Sequence, residues 1–180
     1  MQTFLSSPFF TECAVSLDKR RCWKQVVEAK QMLCNLRTEN LPIEWQNSKD
    51  YINQKYKNHP AVKMWKDYDD LLKHYYNIFL KYCLDFHKIN TKLEYITCAY
   101  SYPAFTNHNI LMIWEDGLDD NGNLIEQPFW LGNEDFHRAM RARLIEKDRN
   151  FYLKKFPEDE GFNNGKYWWP EMETKTFRII

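Results

Sequence analysis

The chain has no net charge: 25 Lys and Arg balance 25 Asp and Glu over 180 residues. That excludes general electrostatic stickiness, so any site for a polyanion has to be built locally. No run of about 18 apolar residues occurs, so no membrane span is expected. The apolar start, Met1 to Phe10, lacks a basic lead and is soon interrupted by Glu12, which argues against a secretory signal. The five cysteines (Cys13, Cys22, Cys34, Cys83, Cys98) are odd in number and form neither a C-x-x-C nor a Cys/His cluster with zinc spacing. Asp119-Asp120-Asn121-Gly122 fails as a calcium loop, because Gly122 at the required glycine position puts Gly117 at the first ligand and Pro128 at the last. No metal or other cofactor is expected, and free thiols fit a reducing, cytoplasmic setting. What is abundant is aromatic: 17 % of residues, beside 28 % charged, a mixture that argues for a packed domain rather than a disordered chain.

From Ser16 to Arg37, Cys22, Val26, Ala29, Leu33 and Leu36 recur at helical spacing and predict a core stripe. Arg21, Gln25 and Glu28 form a separate row on the same helix. Leu41 to Asn58 reads as a loop or short helix. Asn58-His59-Pro60 reads as a helix start, because Pro is tolerated in the first turn. Trp65, Tyr68, Leu72, Tyr75, Phe79, Tyr82 and Phe86 then extend one amphipathic helix, its aromatic stripe packed into the core. Short apolar runs around Asp116-Gly117 and Asn121-Gly122 suggest a hairpin or an irregular arm. The span Glu134 to Asp148 reads as a helix carrying His137, Arg138, Arg141, Arg143 and Lys147, a cationic strip suited to phosphate, although interleaved acids could pair with it. In Trp168-Trp169-Pro170, one tryptophan is expected to cap the core and the other to offer a stacking surface. The expected fold is mainly α: one compact domain over residues 1–180 around three principal helices, with a small irregular or hairpin insertion at about 93–128.

Three segments resemble a known family. The first is Met1-Gln2-Thr3-Phe4-Leu5 followed by Leu17-Asp18-x-x-Arg21-x-x-Lys24-Gln25-x-x-Glu28-Ala29. The second is Asn58-His59-Pro60-Ala61-x-x-Met64-Trp65-x-x-Tyr68. The third is Trp130-Leu131-Gly132-Asn133-Glu134-x-Phe136-His137-Arg138, leading into Ala142-Arg143-Leu144-x-Glu146-Lys147 and Phe151-Tyr152. Their order and separation resemble the pyrimidine-dimer DNA glycosylase family of the endonuclease V type, and Trp169-Pro170 is similar to a bacterial branch of it. The resemblance leaves out Leu41–Lys57 and most of Leu93–Pro128. It implies a helical domain with its N-terminal segment threaded between helices. It also implies cleavage of an N-glycosidic bond in double-stranded DNA, with an essential glutamate that matches Glu28. The resemblance further implies phosphate contacts from Arg21, Lys24, Arg141, Arg143 and Lys147. Gln25 and Arg138 sit beside these positions, and His59 and His137 are candidates for contact with phosphate or the departing base.

Breaking an N-glycosidic bond builds oxocarbenium-like charge on the sugar, which a nearby carboxylate can stabilise. The Lys24–Glu28 spacing of four also fits an ordinary surface pair. In the family's best-understood branch the nucleophile is the α-amine of a small residue uncovered by Met removal, a group that ordinarily titrates near 8. Here Gln2 is bulky and is expected to keep Met1 in place. Either the Met1 amine serves, or Glu28 directs a water and no lyase activity follows; of the two, the water route is preferred on sequence. Trp45, Trp114, Trp130 and Trp168 are candidates for a wedge at an extruded base. The rival readings are a DNA-binding module without chemistry, which would not need Glu28, and a protein-interaction domain built on the aromatic tail and the arm.

Overall fold

The structure is a computed structural model and describes residues 1–98 and 127–180. Among these residues the chain forms eight helices and one small sheet. An irregular N-terminal segment leads into α1 (Phe10–Ser16) and α2 (Lys19–Leu36). The Asp18 carboxylate caps α2 by accepting from the Arg21 N–H at 3.0 Å, a contact worth about 1 kcal/mol. Arg37 ends the helix in the left-handed conformation, returning its N–H to the Cys34 and Leu33 carbonyls. The predicted core stripe of this helix is buried from Cys22 to Leu33, and Leu36 packs against its edge.

The connection that follows folds into two short helices, α3 (Ile43–Gln46) and α4 (Lys49–Asn53). The helix expected from His59 to Phe86 is broken in two: α5 (Pro60–Lys63) and α6 (Asp69–Asp85). The cause is local. Asp67 adopts a positive φ of 68°, and the turn around it lets the Trp65 indole drop into the interior, where its Nε1–H donates to the Thr3 hydroxyl at 3.3 Å. The aromatic stripe is core all the same, for Trp65, Tyr75 and Phe79 are fully buried.

Asn133 caps α7 (Glu134–Lys147), which is followed by α8 (Arg149–Tyr152). The strands β1 (Trp168–Glu171) and β2 (Thr176–Ile179) form an antiparallel hairpin, with Trp169 opposite Arg178. The spacing signals had not pointed to a hairpin here. The two tryptophans leave opposite faces of β1, as strand geometry requires: Trp169 is buried and Trp168 half-buried. The three long helices α2, α6 and α7 surround one core, in which Val26, Phe79, Trp130 and Phe136 are fully buried. Most of the arm expected at 93–128, with the Asp116-Gly117 and Asn121-Gly122 turns and Trp114, lies outside the described residues.

Candidate active site

Residues 2–6 are buried without being helix or strand. Backbone groups in such a segment must find partners other than a regular ladder. Two helices supply them. From α2, Gln25 Oε1 accepts the Phe4 N–H at 2.8 Å, and Glu28 Oε2 accepts the Gln2 N–H at 3.2 Å. From α7, His137 Nδ1 donates to the Leu5 carbonyl at 2.8 Å, and Arg141 donates to the Ser6 carbonyl at 2.8 Å. Each pair of side chains is three or four residues apart, hence on one helix face. The N-terminal segment is thus clamped between α2 and α7, as the resemblance implied. Gln25 and Glu28 of the Arg21–Gln25–Glu28 row dock this segment, whereas Arg21 turns to Asp18 and the Lys147 carbonyl.

At the start of the segment, the Met1 amine lies 3.7 Å from Glu28 Oε1. Glu28 is 7 % exposed and also takes Lys24 Nζ at 3.7 Å, from a side chain that is 64 % exposed. The Met1 side chain is only 4 % exposed, packed against the core, whereas the residue as a whole is half-buried. Its open surface is therefore main chain, beside the carboxylate.

His59 lies near enough to this pair to feel both of its charges. Its Nδ1 accepts the Ala61 N–H at 3.1 Å and caps α5. Its pKa is pushed below the ordinary imidazole value, chiefly by burial, then by the positive Met1 amine, with Glu28 pulling the other way. The ring meets Trp169 edge-on at 5.9 Å, and Trp169 stacks on Tyr167 at 5.4 Å with an 11° tilt. The Arg143 guanidinium lies 4.0 Å over the Tyr167 ring and extends the column. Arg143 also pairs with Glu146 and donates to the Gly165 carbonyl at 2.8 Å. Gly165 has φ +66°, and any Cβ there would collide with the Glu146 carboxylate.

The cationic strip on α7 is less free than its sequence suggests. Asp159, fully buried, accepts from Arg138 at 3.0 Å and from Arg141 at 2.5 Å. Arg141 donates to Glu134 as well. Arg21 is held by Asp18 at 2.6 Å and by the Lys147 carbonyl at 2.9 Å. Lys24 and Lys147 are the well-exposed cations of the expected set, and Lys147 Nζ sits 5.7 Å from the Phe4 ring centroid, on the side of the threaded segment.

Two expected DNA contacts are corrected by burial. Gln25 has no exposed surface and serves Phe4 and the Tyr75 hydroxyl, which donates to it at 2.8 Å. His137 is equally buried, with Nδ1 on Leu5 and Nε2 accepting the Gly132 N–H at 3.0 Å. Both bonds need the neutral ring, consistent with a pKa pushed down by burial. Neither side chain can reach a phosphate. Trp45 and Trp130 are also core residues, which removes them as wedges; Trp168 remains half-buried.

The sequence reading missed Thr3, Tyr75, Asp159, Tyr167 and Trp169 as members of this region. The Tyr167/Trp169 spacing of two was the one available signal, because it puts both rings on one face of a strand. A cavity of about 710 Å³ lies elsewhere, between the end of α2 and the start of α6, and is lined by Arg37, Glu39, Asp67, Asp70 and Lys73. None of the candidate residues borders it. Among the described residues no cluster of three or more His, Cys, Asp or Glu could hold a metal ion, and no helix is long and apolar enough to cross a membrane.

No curated protein and no solved structure matches the chain. Met1, Arg21, Lys24, Glu28 and His59 all fall within the N-terminal stretch, and there the family resemblance is borne out: residues 1–85 match the model of the pyrimidine dimer DNA glycosylase family.

Proposed function

We propose that this protein is a DNA N-glycosylase that removes a damaged or modified pyrimidine, a pyrimidine dimer or a bulky modified base, from double-stranded DNA. The observation that carries this reading is the Met1 amine 3.7 Å from a carboxylate that is almost wholly buried. Both partners of an amine-driven displacement are then present. The amine nitrogen forms a bond to C1′ of the deoxyribose, and the bond from C1′ to the base breaks, its electron pair leaving with the base. Glu28 takes the proton that the amine sheds and, while ionised, stabilises positive charge on the sugar. Opening of the sugar ring yields an imine, from which strand cleavage can follow. The arrangement favours this route over the Glu28-directed water preferred on sequence, because the buried Met1 side chain fixes the amine 3.7 Å from the carboxylate. Lys24, Lys147 and the partly exposed Arg21 form a cationic rim for the flanking phosphates.

The test is borohydride trapping on duplex DNA containing an abasic site, with excision counted on ultraviolet-irradiated DNA and on phage DNA carrying modified cytosine. The expected result is a covalent adduct that maps to Met1, and abasic sites in at least one of the two DNAs. No adduct and no excision would overturn the reading.

A further inference from the structure

The two oxygens of Glu28 are used differently. Oε2 accepts the Gln2 N–H at 3.2 Å, and Gln2 is itself buried, its side-chain amide donating to the Met140 sulfur on α7 at 3.2 Å. That oxygen is built into the fold. Oε1 instead takes two cations, the Met1 amine and Lys24 Nζ, each at 3.7 Å. The amine is tethered by a side chain packed against the core, 4 % exposed, whereas the lysine side chain is 64 % exposed and can swing away. As they stand, the two compete. The amine has to give its proton to Glu28 before its nitrogen can attack. A second cation on the same oxygen opposes that transfer, because the charge it is paired with would be lost.

We propose that Lys24 is a substrate-operated latch on Glu28. In the DNA-free protein its ammonium shares Oε1 with the Met1 amine; a phosphate of the bound strand draws it outward and leaves Oε1 to the amine alone. The inference rests on the reading of Met1 and Glu28 above. Lys24 is thus a positioning residue, acting through Glu28 and not on the sugar. Once it has moved, the proton passes from the amine to Oε1 with no rival cation on that atom, and the neutral nitrogen bonds C1′. The Gln2 N–H keeps hold of Oε2 throughout, so the carboxylate does not turn when the lysine departs. A phosphate-bearing strand therefore readies the carboxylate it needs, whereas a sugar without phosphates meets the latched site.

Free deoxyribose, which offers the aldehyde but no phosphate, separates a latch from a plain phosphate contact. With cyanoborohydride as the reductant, the adduct at Met1 is followed by peptide mass. Lys24→Gln takes the second cation off Oε1 and should label Met1 about threefold faster than wild type, the worth of an exposed ion pair. On abasic-site duplex the same variant should bind about fivefold more weakly at about 0.15 M salt, the loss of one phosphate contact. Its trapping rate at saturating DNA should equal that of wild type. Lys24→Arg keeps a cation for both partners and should return the slow labelling by free sugar. Free-sugar labelling that is unchanged or absent in Lys24→Gln, or slower trapping by this variant at saturating DNA, would overturn the proposal. A wild-type protein labelled at Met1 by neither probe would instead bring down the Met1–Glu28 reading, and this inference with it.

Discussion

Glu28 and Asp159 are both buried carboxylates with cationic partners, and they are used in opposite ways. Asp159 has no exposed surface and is gripped by the forks of Arg138 and Arg141, at 3.0 and 2.5 Å. Those guanidiniums are always charged and geometrically matched to it, so the group is a fixed joint between α7 and the loop after α8. Glu28 has two looser partners, each at 3.7 Å: a terminal amine that can lose its proton and a lysine that extends into solvent. Good geometry with permanent charges marks structure; poor geometry with exchangeable charges marks a place where chemistry can occur.

The comparison breaks most sharply if the two carboxylates are neutralised in turn. Glu28→Gln keeps the acceptor for the Gln2 N–H and should fold normally, while excision falls on the order of 1,000-fold, within the range for a catalytic acid–base group. Counting abasic sites alongside thermal melting checks both halves, and residual activity near wild type would remove Glu28 from the mechanism. Asp159→Asn should do the reverse. It removes the buried counter-charge that two guanidiniums share, leaves Arg141 with Glu134 and the Ser6 carbonyl, and should cost about 1–3 kcal/mol in urea unfolding, with excision per folded molecule retained.

How far the sequence could be read follows the same division. The stripe on α2, the start of α5 at His59-Pro60 and the extent of α7 were legible because periodicity and caps are local signals. Glu28 was legible only through the resemblance, since Lys24 and Glu28 four residues apart look the same on any solvated helix. The four side chains that clamp the N-terminal segment were not legible, because their partners are backbone groups more than 20 residues away, contacts with no sequence period. The strip on α7 misled for a related reason. Its neutralising acid, Asp159, lies beyond the end of the helix, outside any window in which charges are paired by spacing. The break at Asp67 escaped because the apolar spacing runs straight across the turn there.

Acid should act on the fold through its buried histidines and spare both carboxylate sites at first. His74, buried in α6 beside Phe10 with ring centroids 6.0 Å apart, has its pKa lowered by burial to about 4. In the unfolded chain the same group titrates near 6.5. Below that pH the unfolded state binds a proton that the native state refuses, so stability drains away from pH 6.5 to about 4, by about 3 kcal/mol in all. His137, also lowered by burial, acts in the same direction. Replacing His74 with Leu should flatten the pH dependence of urea unfolding over this window. An unchanged profile would mean that the ring is solvated in solution.

The smallest effect decides which region meets DNA. Each phosphate neutralised by a free cation contributes about 0.9 to the slope of log affinity against log salt. Lys24→Ala and Lys147→Ala, on the rim of the Met1–Glu28 pair, should each reduce that slope by about 0.9. Arg138→Gln should leave it unchanged, because that guanidinium is already balanced by Asp159 and lies 4.2 Å over the Phe162 ring. The reverse outcome would move the nucleic-acid surface to the Arg138 end of α7, away from Lys147 and Lys24. Phosphate binding would then rest on a guanidinium that Asp159 already holds, and the amine–carboxylate pair would have no free cation beside it to bring DNA to it.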